Sequence, residues 1–105
     1  MSKNKQIQEF INIIVAALRH KIGSIVNPNE IYAQKYAKDS EILIKEALKT
    51  YLEINLNIQD KSKIKEEIKI KLKQELEKRD FLNNKKFDIM DEEIEKALKF
   101  SNFNL

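Results

Sequence analysis

The stretch IQEFINIIVAALRHKI, residues 7–22, decides the fold that we expect for this chain. Its apolar side chains recur at the i, i+3, i+4 and i+7 spacing that places them on one face of an α-helix. Two further apolar residues, Ile13 and Ala17, widen that face beyond half of the circumference. A helix with such a wide apolar face has to be covered by protein on two sides. The residues of the face itself are Ile7, Phe10, Ile11, Ile14, Val15, Leu18 and Ile22.

Length and composition favour one helical domain. The chain has 105 residues, of which 42% are apolar and 35% are charged, and a chain of this size can bury one modest core. It contains one glycine and one proline, which excludes most turn-rich β architectures. We therefore expect a single all-α domain over residues 1–105.

Two absences bear on the compartment of the protein. The chain contains no cysteine, which removes disulfides, thiolate metal sites and cysteine nucleophiles, and which suits a reducing compartment. The apolar stretch near the N-terminus is interrupted by Glu9 and Asn12, so it is too short and too polar for a membrane span. We expect a cytoplasmic protein without a membrane partner.

The second helix has the clearest start signal in the chain. Asn27 can be its N-cap, Pro28 its first helical residue, and Glu30 the acid at the third position. Downstream, the apolar residues keep one face without a change of phase, also across the potential break at Asp39. We expect one continuous helix over residues 28–57.

The length of this expected helix favours self-association. About thirty residues at 1.5 Å each span ~45 Å, whereas a compact chain of this size is roughly 35 Å across. Either the helix kinks near Asp39, or it extends beyond the globule and a second copy of the chain is the most economical cover for its apolar face. The same face carries three tyrosines that suit packing in the core or at the edge of the bundle, or else a contact with a protein partner: Tyr32, Tyr36 and Tyr51.

The third helix carries a thinner apolar stripe. Asp60 or Ser62 is expected to cap its start. The stripe occupies a narrow arc, so we interpret it as a seam that contacts a partner and not as a core face. Its members are Ile64, Ile68, Leu72 and Leu76.

The last part of the chain is expected to form a turn-like connection and a short helix. Residues 81–90 are interpreted as the connection, and Asp88 or Asp91 as the start of the helix. The apolar tail with Phe100 and Phe103 is expected to dock on the bundle or on a partner. The apolar face of the helix consists of Ile94, Ala97 and Leu98.

A row of lysines on the third helix raises nucleic-acid binding as an alternative. Lys61, Lys65, Lys69 and Lys73 are four residues apart, and like charges at this spacing repel each other unless anions such as phosphates offset them. However, the chain has 18 lysines, 2 arginines, 16 isoleucines and 10 asparagines, which is the amino-acid usage of an AT-rich genome. No aromatic residue is interleaved for base stacking. We therefore favour a solvated helix face.

The single histidine, His20, raises a second alternative, which is phosphotransfer. A phosphoacceptor histidine on a helical bundle needs an exposed imidazole and a small residue about one turn later, and Gly23 and Ser24 meet the second condition. Gly23 is also the expected left-handed end of the first helix. His20 is then better explained as a cation near the negative end of the helix dipole.

Most enzymatic sites, other than those built from carboxylates alone, are excluded by the residues that the chain lacks. One histidine, no cysteine and no glycine-rich loop rule out most catalytic triads, metal sites and phosphate-binding loops. Asp91, Glu92 and Glu93 are explained as first-turn partners of a helix dipole. We expect no catalysis, no cofactor, no metal and no small-molecule substrate.

Together these features predict an all-α, elongated antiparallel helical bundle of three long helices plus a short C-terminal helix. The function that we expect is that of a small interaction module, such as an adaptor, a chaperone-like protein or an assembly subunit. Its partner is expected to be a protein, and a homo-oligomer is the favoured arrangement.

Overall fold

The computed structural model describes residues 3–26, 31, 33–52, 56–79 and 85–100. These residues form five helices and contain no strand. The helices are α1 (Lys3–Val26), α2 (Ala33–Leu52), α3 (Ile58–Glu77), α4 (Lys85–Asp88) and α5 (Met90–Phe100). The prediction of an all-α bundle with three long helices and a short C-terminal helix is confirmed, with the single turn of α4 added.

Long-range side-chain contacts define the directions of the helices. Gly23, near the end of α1, lies against Tyr36 at the start of α2, so these two helices are antiparallel. α3 runs parallel to α1, since Lys3 pairs with Asp60 at the start of both helices. The fold is compact for its length, with a radius of gyration of 13.6 Å against the ~13 Å expected. It is also elongated, because it measures 40 × 22 × 21 Å.

α1 is the central helix, because it packs against each of the other four. This arrangement explains the wide apolar face of the sequence, which is covered by α2 and also by α3 to α5. The expected coverage on two sides is therefore confirmed. The residues of α1 that are buried in this way are Phe10, Ile11, Ile14, Val15, Ala17, Leu18, Ile22 and Gly23.

Gly23 does not end α1, which corrects the expected left-handed stop. The helix continues to Val26, whose side chain packs on the core and supports the extra turn. Gly23 is buried, and a Cβ added there would lie 3.8 Å from Cδ2 of Tyr36, which is an ordinary contact. The glycine therefore lies in the α1–α2 interface as a small helical residue.

α2 is shorter than expected. It has 20 residues, is continuous through Asp39, and begins at Ala33 after a turn at Ile31. At about 1.5 Å per residue it spans ~30 Å, which is less than the long axis of the molecule. The overhang that suggested self-association is therefore absent from the described residues. The expected cap residues Asn27, Pro28 and Glu30, and residues 53–55, lie outside them.

Small side chains allow α2 to approach α1 closely. Ala33, Ser40 and Ala47 follow each other at intervals of seven residues, which is about two helical turns, and all three are buried. Tyr36 and Tyr51 lie on the same side of α2 and are half-buried. This side is the inward face of α2.

The start of α3 is capped by Asn57, which corrects the expectation of Asp60 or Ser62. The side chain of Asn57 accepts a hydrogen bond of 2.8 Å from the amide of Asp60, and the Asp60 carboxylate accepts one of 3.2 Å from the amide of Asn57. This reciprocal pair is a capping box. Hydrogen bonding to Lys3, followed by the Asn57 amide, lowers the pKa of Asp60.

The apolar stripe of α3 belongs to the core of the chain itself. Each of its four residues is at most 1% exposed. The interpretation as a seam for a partner is therefore wrong in this fold, because α1 and α5 already cover the stripe and leave no exposed surface. The four residues are Ile64, Ile68, Leu72 and Leu76.

The C-terminal helices complete the core. The expected turn-like connection contains the helical turn α4, whose buried Lys86 donates a hydrogen bond of 3.0 Å to the carbonyl of Arg79 after the end of α3. α5 begins at Met90, close to the predicted start at Asp91. Its predicted apolar face is confirmed as buried and consists of Ile94, Ala97 and Leu98.

Candidate functional site

The outward half of α2 is a helical surface that the other described helices leave uncovered. α2 packs along α1, and no other described helix packs along α2. On its outward half Ile42 is 57% exposed, while Leu43 and Ile44 are half-buried at the margins. A helix covered on one side only is an available surface for another protein.

An apolar groove runs between α2 and α5. Its volume is about 360 Å³, and it is lined by Ile44 of α2 together with Leu18 of α1 and Ala97 of α5, which are 0% and 5% exposed. Two helices thus flank a third in the arrangement that accepts an amphipathic helix. The charged residues that line the groove are Lys21, Glu41, Lys45 and Lys96.

Three of the four charged residues that line the groove are lysines, and two of these three pair with acids of α5. Lys21 pairs with Glu93 at 3.2 Å, and Lys96 pairs with Glu92 at 3.2 Å. Glu93 is 3% exposed, and its Oε2 atom has no hydrogen-bond partner, although Lys96 lies 4.0 Å away. Hydrogen bonding to Glu92 and the charge of Glu93 raise the pKa of Lys96, so this lysine stays charged. Lys45 has no ion pair among the described residues.

The tyrosines proposed for partner binding face inward. The Tyr51 ring lies 5.7 Å from the ring of Phe10, and the Tyr36 ring lies 5.5 Å from the imidazole of His20. Both tyrosines are half-buried in the α1–α2 interface, in agreement with packing at the edge of the bundle, and a contact with a partner stays a prediction. Tyr32 and Phe103 lie outside the described residues, as does the side chain of Phe100.

The lysine row of α3 is partly neutralised within the chain. Lys65 pairs with Glu95 of α5, and Lys69 lies 3.9 Å from Asp91. Carboxylates of α5 therefore provide anions that the sequence left unidentified. The other two members of the row, Lys61 and Lys73, have no ion pair within the described part of the chain.

His20 lies inside α1 and not at a helix end. Its Nε2 atom is 3.4 Å from Nη2 of Arg19, and its ring is half-buried against Tyr36. Burial lowers the pKa of His20, Arg19 and Arg79 lower it further, and Asp39 opposes them. The neutral imidazole is therefore favoured, which removes the explanation of His20 as a helix-terminal cation.

The two arginines of the chain meet in the structure, which the sequence did not predict. Arg19 Nη1 lies 3.7 Å from Oε2 of Glu75, and Arg79 Nη2 lies 3.8 Å from the same oxygen. The only hint in the sequence is their rarity among 20 basic residues. Contacts between α1 and the end of α3 are needed to bring them together.

The described residues contain neither a cluster for a metal ion nor a helix that could span a membrane. No group of three or more His, Cys, Asp or Glu side chains there could hold a metal ion. None of the described helices combines the length and apolarity needed to cross a bilayer. In comparisons with known proteins, no family model, no curated protein and no solved structure matches the chain.

Proposed function

We propose that the chain is a non-catalytic helical interaction module of the cytoplasm, which binds an amphipathic helix of a protein partner in the groove between α2 and α5. The single observation that carries this proposal is the one-sided coverage of α2 beside an apolar groove. The groove has the form of a helix-in-groove site, in which the half-buried Ile44 is the accessible apolar residue and the buried Leu18 and Ala97 lie beneath.

The charged residues that line the groove indicate which kind of partner helix fits it. Three of the four charged residues that line the groove are lysines, and Glu41 is the exception. A partner helix with glutamates or aspartates beside its apolar face complements this rim, and a helix with basic flanks is repelled. The proposed partner is therefore an acidic amphipathic helix.

Two designed peptides test the proposal. Both have roughly 18 residues and the same leucine face, but one has glutamate flanks and the other lysine flanks. We expect the glutamate peptide alone to bind the full chain in fluorescence anisotropy, with an affinity that falls as salt rises. Equal binding of both peptides, or binding of neither, would contradict the proposal.

A charge reversal tests the location of the site. Lys45→Glu is expected to weaken the glutamate peptide severalfold, because Lys45 lines the groove. Lys73→Glu is the matched control, since Lys73 is an exposed lysine of α3 away from the groove. An equal loss for both variants would indicate attraction by net charge and no defined site.

Self-association is the second candidate, favoured by the mixed charges around the exposed Ile42. In an antiparallel pairing of two α2 helices centred on Ile42, Lys38 faces Glu46 of the second copy, and Lys45 faces Asp39 of the second copy. Such opposite charges support an isologous contact, in which both copies use the same surface. Among the described residues, none of these four charged side chains is in an ion pair.

Light scattering at tens of micromolar tests this candidate. A mass of twice 12.4 kDa is expected, and Ile42→Lys should return the mass to that of one chain. Ile70→Lys is the control, because Ile70 on α3 is 52% exposed and thus similar to Ile42. Lys49→Glu should strengthen the dimer, since Lys49 faces Lys35 of the second copy. A monomeric wild-type chain would refute self-association through α2.

The two other hypotheses gain less support. Nucleic-acid binding by the lysine row has to compete with Glu95 and Asp91, and would appear as salt-sensitive binding that is lost when all four lysines are changed to glutamine. Phosphotransfer requires access to the half-buried His20, and labelling of wild type but not of His20→Ala by a phosphorylated receiver domain would support it.

A further inference from the structure

The region around Glu75 has more positive than negative charge. Its Oε2 atom is shared by Arg19 and Arg79, at 3.7 and 3.8 Å. Its other oxygen, Oε1, lies 3.7 Å from Nζ of Lys78. One carboxylate thus faces three cations, so the cluster has a surplus of two positive charges.

The distances show that Glu75 does not satisfy these cations. A charge-assisted hydrogen bond between a guanidinium and a carboxylate is about 2.7–2.9 Å long, and every one of these contacts is longer. Each guanidinium carries five N–H donors in a planar fork that matches the oxygens of a phosphate. Arg19 and Arg79 therefore retain donors that a second anion could use.

The surroundings also suit an anion. Both arginine side chains are 28% exposed, so a ligand can reach them. Because they are partly shielded from bulk water, their attraction for an anion is stronger than at a fully solvated site. Burial and the charge of Arg79 lower the pKa of Arg19, and Glu75 opposes this effect. A cleft of about 420 Å³ adjoins Arg19 and Glu75, and the amides of Asn12 and Gln74 line it.

We infer that Arg19 and Arg79 form a binding site for a phosphate group, and that Glu75 is the internal anion that this phosphate displaces. A phosphate dianion offsets two of the three positive charges that surround Glu75, whereas the single carboxylate offsets one. The site lies between α1 and the end of α3, so it is separate from the proposed groove between α2 and α5. The ligand is free phosphate or a phosphate monoester.

The rarity of arginine makes the test specific. Because the chain has only 2 arginines, its ¹⁵N spectrum contains two Nε–Hε signals, and both report on the site. The full chain is titrated with inorganic phosphate while sodium chloride keeps the ionic strength constant. We expect both signals to move together along one saturating curve. Signals that do not move, or that follow different curves, would overturn the inference.

Variants separate this site from general attraction by positive charge. Arg79→Gln should weaken phosphate binding roughly tenfold or more, the loss expected when a charged hydrogen-bond donor is removed. Lys38→Gln is the control with the same change of charge on α2. Equal losses for both variants would overturn the inference. The Arg19 Nε–Hε signal reports binding in both.

Glu75→Gln is the decisive variant, and it tests the inference even if Arg79→Gln fails to fold. Removal of the internal anion should tighten phosphate binding, because phosphate no longer has to displace a carboxylate. A purely structural Glu75 predicts the opposite, since its loss would separate the two arginines. Unchanged or weaker binding in the folded Glu75→Gln variant would therefore overturn the inference. A phosphate monoester such as phenyl phosphate then shows whether the cleft accepts a larger ligand.

Discussion

α2 and α3 each have 20 residues but opposite relations to the rest of the chain. α3 contributes a fully buried apolar stripe to the core. Six ion pairs also involve a residue of α3, its C-cap Lys78 or the neighbouring Arg79. α2 packs on α1 alone, and no ion pair between described residues includes an α2 side chain. Four charged residues of α3, namely Asp60, Lys65, Lys69 and Glu75, are thus in ion pairs within the fold, whereas the charges of α2 remain available.

This difference shows that composition alone does not locate a binding surface. The lysine row of α3 is the more regular pattern in the sequence, yet Glu95 and Asp91 pair with half of it. The charges of α2 attract no notice in the sequence, yet they surround the exposed Ile42. The partners of each charge decide its role, and those partners come from other helices.

The largest effect is expected in the stripe of α3. Leu72 is fully buried, so Leu72→Ala should lower the free energy of unfolding by about 2–5 kcal/mol through lost burial and a cavity. Ile70 on the same helix is 52% exposed, and Ile70→Ala should change the free energy of unfolding by less than about 0.5 kcal/mol. Urea denaturation measures both. Similar costs would mean that α3 does not have the one-sided burial described.

The next effect is expected on the inward face of α2. Ala47 is fully buried against α1, so Ala47→Leu should destabilise the fold by about 1–3 kcal/mol by forcing the helices apart. Ala37→Leu makes the same change at an exposed position of α2 and should cost less than about 0.5 kcal/mol. The urea midpoints of the two variants give the comparison. A tolerated Ala47→Leu would show that α2 is loosely attached.

The sequence predicted the parts of the fold that depend on periodicity. The apolar face of α1, the stripe of α3 and the face of α5 were all identified, because residues that share a helix face recur at fixed spacing. The sequence did not show which helices cover each of these faces. The α3 stripe looked too narrow for a core, but a narrow stripe suffices where the wide face of α1 supplies the other side.

Helix ends and the candidate sites could be predicted less well. Gly23 has the residue type of a helix stop, but packing of Val26 on the core extends the helix beyond it. Asn57 was missed as the cap because Asp60 and Ser62 are equally suitable residue types. The meeting of Arg19 with Arg79 depends on contacts between residues 60 positions apart, which a single sequence does not reveal.

The smallest effect tests the ion pairs that distinguish the two helices. Replacing both Lys65 and Lys69 by glutamine should cost about 0.2–1 kcal/mol per pair at low salt, because their carboxylate partners on α5 lose a cation. The same double change at Lys38 and Lys45 of α2 removes no ion pair and should leave the stability unaltered. Urea denaturation at low and high salt gives the measurement, and the difference between the two double variants should disappear at high salt. If the α2 variant lost as much stability as the α3 variant, the charges of α2 would also serve the fold, and the case for a partner at α2 would weaken accordingly.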